Sequence, residues 1–524
     1  MGNYLVFLPE TVLVATALAS VLLGFLWAKK PAALWGLALA GTAIAMLLTV
    51  DMMGLGLTSL VGLDLWQVPL GSDGDFAGEF RLRVDLFALF FHGIFLFVAL
   101  LAILASRGFL KPEEPHQAEY YGLMLLAVVG MMFTAAATDL FVLFLAFELS
   151  SLSTFALVAF RKKDANATEA AVKFFIIGAV SSAIILFGIS LIYGVAGTTD
   201  LAQLGANLNF TAYAAFEPPL IVALVFLIAG FGFKVATVPF HMWAPDVYQG
   251  APTTISVFLA AGSKKVGIVA LFKVFLVGLI GIQIDWVAAL AVLSILTQTV
   301  GNVLAIPQRS VKRMLAYSSI AQAGYILIAL AVGALALTAA DSAASPETRA
   351  LARDVAIFGM VGGMLHVLTH AAMKGGAFLV VAGLETRGIP DDVEAWKGLG
   401  RRMPFLAFSM TILLLSLAGI PPLGGFFSKF VLFSSAVSAA QLNPWYLALA
   451  VSGVLNSALS LYYYSRVIWT MYILEPEEGA GSLKVPRSIS AAVFICLAVV
   501  ILTAFVAWLF LSYLNDAAAA FFGL

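Results

Sequence analysis

Seven lysines stand in stretches of this sequence that are otherwise apolar: Lys173, Lys234, Lys264, Lys265, Lys273, Lys374 and Lys429. A desolvated lysine gives up its proton far more readily than one in water, whereas arginine stays charged. A series of buried lysines therefore suits the passing of protons. Glu148, in Phe147-Glu148-Leu149-Ser150-Ser151, sits in the middle of an apolar run, where a carboxylate needs a cationic partner to remain ionised. His366, His370 and Lys374 recur at i, i+4 and i+8, which puts them on one face of a helix. Two histidines so spaced suit a metal, but no cysteine or carboxylate nearby completes a ligand set. A polar stripe carrying water and protons is the better reading, since histidine titrates near neutral pH. Each lysine also has a plainer explanation. Lys173 begins its apolar run and reads first as a side chain reaching the membrane interface. Lys264 and Lys265 lie about 100° apart on a helix, so one of them faces the interior. Lys273, two turns on, reads equally as structural or functional. Asp85 and Asp139 fall at the ends of apolar runs, and Glu10, just after Pro9, reads either way.

These residues need membrane helices to position them. Of 524 residues, 62% are hydrophobic and 11% charged, with 28 Lys+Arg against 29 Asp+Glu, and the mean hydropathy is +1.03. That charge cannot cover a soluble body of this size, which excludes a soluble enzyme, and the absence of a basic face excludes a nucleic-acid partner. The expected partners are lipids and other membrane chains. One cysteine, Cys496, excludes a disulfide framework or a cysteine-held cluster. A helix needs about 20 apolar residues to cross the hydrocarbon core. Fourteen such spans are expected: 5–27, 33–54, 84–105, 119–136, 138–160, 170–196, 220–240, 251–280, 285–305, 311–338, 354–384, 403–435, 443–474 and 488–514. The start, Met1-Gly2-Asn3-Tyr4, lacks the basic region of a cleaved signal. Loops after odd spans carry Lys29, Lys30, Arg107, Lys111, Arg161, Lys162, Lys163, Arg309, Lys312, Arg313, Arg387, Lys397, Arg401, Arg402, Arg466, Lys484 and Arg487; loops after even spans carry only Arg81, Arg83, Arg349 and Arg353. Positive charge marks the cytoplasmic side, so both termini are expected on the non-cytoplasmic side.

Two spans carry helix breakers beside a lysine. The seventh contains Lys234-Val235-Ala236-Thr237-Val238-Pro239-Phe240-His241, and the twelfth Gly419-Ile420-Pro421-Pro422-Leu423-Gly424-Gly425, followed by Lys429. Broken backbone at membrane depth is tolerated only against protein or a wet cavity. The breaks are five spans apart, so they run in opposite directions, as in inverted repeats with sites at mid-membrane. The predicted fold is all-α and polytopic. It has an N-terminal three-helix segment (1–118), a first repeat of five spans (119–280), a second, inverted one (281–474) and a C-terminal helix (475–524). No phosphate loop, dinucleotide fingerprint or CxxC is present, so no cofactor or metal is expected on this chain.

Several stretches resemble a known family. They are Phe147-Glu148-Leu149-Ser150-Ser151-Leu152, Thr168-Glu169-Ala170-Ala171-Val172-Lys173-Phe174-Phe175, Leu191-Ile192-Tyr193-Gly194, the run from Pro239 through Asp246-Val247-Tyr248-Gln249-Gly250-Ala251-Pro252 to Thr253, and Leu417 to Phe426. Together they are similar to the antiporter-like membrane subunits of the proton-pumping NADH–quinone oxidoreductase (respiratory complex I), in particular subunit N. The resemblance implies a non-redox subunit of a proton-translocating enzyme, with NADH, FMN, iron–sulfur clusters and quinone on other subunits. It implies subunits M and K as neighbours, and a plasma membrane of bacterial type or its organelle inner-membrane or thylakoid equivalent. It further implies proton translocation by Glu148, Lys234, Lys264 and Lys429, with His366, His370, Lys374, Lys265 and His241 as lesser relays. A lysine at 429 and the lack of a long lateral helix are like subunit N. The stretch His366–Lys374 is more like sodium–proton antiporter subunits and subunit L. The alternative is thus a subunit of a multi-subunit sodium–proton antiporter, or of a related hydrogenase or dehydrogenase complex.

Overall fold

The computed structural model of the chain describes residues 4–27, 30–55, 81–208, 210–343, 345–476 and 481–523; Met1, Gly2, Asn3 and Lys29, used above for the chain start and the charge balance, lie outside them. The helices are α1 (Leu8–Leu26), α2 (Pro31–Val50), α3 (Leu86–Phe109), α4 (Gln117–Ala136), α5 (Leu140–Val158), α6 (Ala165–Ala196), α7 (Leu201–Asn207), α8 (Phe210–Val235), α9 (Trp243–Gly250), α10 (Thr253–Phe258), α11 (Lys264–Lys273), α12 (Gln283–Ala305), α13 (Val311–Asp341), α14 (Pro346–Glu385), α15 (Leu399–Arg402), α16 (Pro404–Ala418), α17 (Gly424–Ala439), α18 (Leu447–Tyr472), α19 (Arg487–Phe505) and α20 (Ala507–Phe522). Among the described residues the only extended pairings are two isolated bridges, Leu82 with Ala137 and Asp139 with Asp200. The starts follow from local chemistry. The side chains of Asp85, Asp139, Asp164, Asp200, Ser310 and Ser345 each accept a backbone N–H of the helix they precede, supplying a partner that the first turn lacks.

Among the described residues, thirteen helices are long and apolar enough to cross a membrane. The remaining expected crossing is α16 and α17, joined across Gly419–Leu423. Several helix ends lie a few residues from expectation, α6 starting at Ala165 rather than 170 and α14 at Pro346 rather than 354, and three differences alter the course of the chain. The seventh span ends at Val235 rather than 240, because Ala236 turns left-handed (φ 58) and the chain restarts as α9. The eighth is α10 and α11 linked and followed by two π-helical turns, Leu259–Ser263 and Val274–Gly278. The last ends at Phe505, not 514; beyond Val506, α20 folds back on α3, with the Tyr513 hydroxyl donating to Leu86 O at 2.9 Å and the Phe521 ring 4.5 Å from that of Phe87.

Odd and even loops collect on opposite faces. On one, Arg161 pairs with Glu114 (2.8 Å) and Glu385 (3.9 Å), Glu385 with Lys312 (3.2 Å), and Asp246 with Lys173 (2.8 Å) and Arg313 (2.6 Å); Ser310 donates to Asp391. On the other, Arg81 pairs with Asp200 (2.7 Å), and the Thr199 hydroxyl donates to Asp139 (2.6 Å). The segment Thr253–Gly278 is enclosed by protein except at Val277, which is half-buried. Leu22, Phe175, Val225, Val292 and Leu455 stay exposed, an outer apolar surface suited to lipid or neighbouring chains.

Candidate functional site

The buried lysines meet a series of hydroxyls, carbonyls and imidazoles. On α5, Glu148 and Ser151 are three residues apart and share a face. Glu148 accepts a hydrogen bond from Ser182 of α6 at 2.6 Å. Lys234, the last residue but one of α8, donates to Ser151 at 3.0 Å, its ammonium 5.4 Å from the Phe147 ring. Among the described residues no ion pair within 4 Å joins Glu148 and Lys234; Glu148 bonds Ser182 and Lys234 bonds Ser151.

Lys264 opens α11 beside a π turn. Its ammonium lies 5.7 Å from the Tyr248 ring and has no hydrogen-bond partner among the described residues. The Tyr248 and Ser319 hydroxyls, His370 Nε2 and both ring nitrogens of His241 are also buried and unpartnered there. Buried polar groups take water when protein offers no partner, which makes this the natural wet stretch. Lys265 turns to α14, donating to Ala260 O (2.8 Å) and meeting His370 Nδ1 at 2.7 Å. The His370 and His366 rings are 6.3 Å apart. His366 in turn bridges Ser428 (3.0 Å) and Gln322 (2.9 Å). Three of the four ring nitrogens in this stripe are thereby committed to protein partners.

Lys429, on α17, reaches back across the break. It donates to Leu417 O (2.7 Å) at the end of α16 and to Ser457 of α18 (2.6 Å), with the Tyr325 ring 4.7 Å away. Gly419 adopts φ 88 at this break, and a Cβ there would press on the Lys429 side chain. Lys374 leaves the stripe sideways, donating to Leu315 O (3.2 Å) and Ser318 (2.7 Å). Ser318 bonds Tyr464, whose neighbour Tyr463 donates to Asn302 (2.8 Å); Asn302 contacts the Tyr325 hydroxyl (3.2 Å). Hydroxyls and an amide thus fill the space between Lys374 and the Tyr325 ring that faces Lys429, and no sequence signal marks them. Of the other lysines, Lys173 is 42% exposed and paired with Glu169 and Asp246, in line with its plainer reading. Lys273 is buried but turns away from this series, donating to Ala137 O at 2.8 Å.

Depth is shared. Ser151 lies eleven residues into α5, Lys264 eleven residues after Thr253, and Lys374 eleven residues before Glu385, and Thr253 and Glu385 are themselves hydrogen-bonded. Eleven residues of helix rise about 16 Å, half of a hydrocarbon core of about 30 Å. The series thus runs along the middle of the bundle, parallel to its two loop faces.

Comparison with known proteins bears on this geometry. The model of the family described as "NADH:quinone oxidoreductase/Mrp antiporter, TM" matches residues 137–341 and 351–459, which hold every residue of the series. The chain belongs to that family. Within it, the chain is 44% identical to F(420)H(2) dehydrogenase subunit N of Methanosarcina mazei over 94% of this chain and 93% of that one. It is 37% identical to NADH-quinone oxidoreductase subunit N of Trichlorobacter lovleyi over 94% and 92%. A chain of respiratory complex I from Thermus thermophilus superposes with a TM-score of 0.74 at 29% identity, covering 96% of this chain and 98% of that one. As in the rest of the family, the chain is a multi-pass membrane protein.

Proposed function

We propose that this chain is the N-type proton-translocating subunit of a membrane-bound NADH–quinone oxidoreductase. The observation that carries the reading is the row of buried ionisable side chains Glu148, Lys234, Lys264, Lys265, His370, His366 and Lys429, set at mid-depth, with hydroxyls and carbonyls as partners of Lys234, Lys265 and Lys429. Redox chemistry belongs to other subunits, which hold NADH, FMN, iron–sulfur clusters and quinone. Subunits M and K are the expected neighbours, and both termini face the non-cytoplasmic side. Residues 119–280 and 281–474 act as two repeats, each with a broken helix. Glu148 is the input. When its bond to Ser182 is exchanged, the field at Lys234 changes and the proton there moves toward Lys264 through the unpartnered hydroxyls and His241. From Lys265 it passes along the two histidines, with Lys374 on a side branch, to Lys429.

In complex reconstituted into vesicles, Lys429→Ala is expected to abolish proton pumping while the complex still assembles. Pumping at the parental rate would remove Lys429 from the path. A second reading concerns the electron donor. The 44% identity to an F(420)H(2) dehydrogenase subunit exceeds the 37% to the NADH-quinone oxidoreductase subunit, which favours a host complex that oxidises F(420)H(2). Purification of the host complex decides: oxidation of NADH supports the first reading, and oxidation of F(420)H(2) alone supports the second.

A further inference from the structure

A second set of buried ionisable groups lies outside the series, at the even-loop end of the bundle. Glu10 of α1 and His92 of α3 are each 1% exposed, and His92 Nδ1 is 3.4 Å from Glu10 Oε1. His92 Nε2 is 3.0 Å from Met132 O of α4. A carbonyl only accepts, so Nε2 carries a hydrogen. Neither Glu10 oxygen has a hydrogen-bond partner among the described residues. Lys273 faces the same stretch of α3, its ammonium 6.0 Å from the ring of Phe87, five residues before His92. Its ammonium is held by Ala137 O, just past the end of α4, so both nitrogen donors sit at the negative end of the α4 dipole. Lys264 and Lys273 are the two ends of α11. Nine residues at about 100° each turn them to opposite faces, so Lys273 serves a different place from Lys264. Among the described residues, the remaining charged groups on elements packed against α3 at this end are Asp51 after α2, Arg83 and Asp85 before α3, and the exposed Asp516 on α20.

We propose that Glu10, His92 and Lys273 form a proton-binding site distinct from the central series. With one proton between Nδ1 and Oε1 the pair is neutral, whether written as imidazolium and carboxylate or as imidazole and carboxylic acid. Burial favours that neutral state. When the proton leaves, Glu10 is a carboxylate beside a neutral imidazole, and the Lys273 ammonium balances the charge. The ligand is a proton rather than a metal cation. The Met132 and Ala137 carbonyls are committed to His92 and Lys273, and one carboxylate alone makes a poor cage for a hard ion. The site sits one to two helical turns inside the face where the even loops emerge. On the proton-translocating reading above, on which this role rests, it is a release station for the first repeat, tied to Lys264 through the single helix α11.

Infrared difference spectroscopy of the intact complex across pH tests the site. One proton-dependent transition is expected, seen as a carboxylic acid C=O band or as imidazolium ring modes. Glu10→Gln and His92→Gln should each abolish it, and Lys273→Met should move it to higher pH, because the cation that stabilises the deprotonated pair is gone. A transition that survives both Gln variants, or that Lys273→Met leaves unmoved, overturns the proposal. Should Glu10→Gln fail to assemble, Glu10→Asp keeps the carboxyl and should show the band displaced; an unchanged band counts against the site. In vesicles, Glu10→Gln should lower the protons moved per electron. Full pumping in Glu10→Gln with none in Lys429→Ala refutes the release role alone. Full pumping in Lys429→Ala refutes the translocation reading and leaves the infrared result standing.

Discussion

His366 is the residue on which the two ends of the series depend. It contacts Ser428 and Gln322 and lies between His370 and the Lys429 end. Replacing it by alanine strands two buried partners, at a cost of about 1–3 kcal/mol each, and opens the link from Lys265 to Lys429. His366→Ala is therefore expected to reduce protons pumped per electron far more than it reduces assembly; vesicle acidification and native electrophoresis read the two separately. The lysines were legible in the sequence because a cation in an apolar run has few innocent explanations. Their partners were not. Ser151, Ser182, Ser318, Tyr464 and Asn302 are of types common in membrane helices, and only packing brings Ser151 and Ser318 to an ammonium, Ser182 to Glu148, and Tyr464 and Asn302 to the hydroxyls beyond. Spacing along the chain likewise does not say that Glu148 bonds Ser182 or that Lys234 bonds Ser151.

At the scale of elements, the two broken helices share a backbone pattern but not a side-chain one. Ala236 (φ 58) and Gly419 (φ 88) both turn left-handed, and Val238-Pro239 and Pro421-Pro422 are both cis. Yet Lys234 precedes its break and Lys429 follows its own. A β-branched residue is a poor fit to a positive φ, so Ala236→Val should lower stability by about 1–3 kcal/mol, read as an earlier thermal transition of the solubilised complex. Gly425→Ala should do at least as much damage, since its Cβ would fall 1.9 Å from Ser416 O, an overlap that only backbone movement relieves. The proline and glycine clusters announced the breaks. The π turns around α11 had no such signal, because Leu259–Ser263 and Val274–Gly278 read as ordinary apolar helix. The bend at Val506 was equally silent, being set by the docking of α20 on α3.

At the scale of the whole molecule, the charged faces set both orientation and acid stability. Cys496 is fully buried, so a membrane-impermeant thiol reagent should find no target in the parent chain. Glu475→Cys, on the odd-loop face, is expected to label only from the cytoplasm, and Glu347→Cys only from outside; labelling of both from one side would refute the topology. The alternation was legible from lysine and arginine counts, although the partners within each face were not. For Asp246, burial pushes the carboxyl up, but its bonds to Lys173 and Arg313 more than offset this and hold it below the usual range. Its contribution is present above about pH 4 and is lost as pH falls through the depressed value. Burial raises Asp391 despite bonds from Ser310 and Lys312, so its contribution is full below about pH 4 and fades as pH rises. Asp246→Asn should thus destabilise the complex at neutral pH more than Asp391→Asn, as thermal transitions taken across pH would read. The shared depth of the lysines has an electrical meaning. A charge that crosses the whole membrane does work of about 2.3 kcal/mol per 100 mV, but one that moves at constant depth does none. On the proposed route, the long traverse from Lys234 to Lys429 is therefore blind to the membrane voltage, and the entire load of pumping falls on the short entry and exit steps at either face.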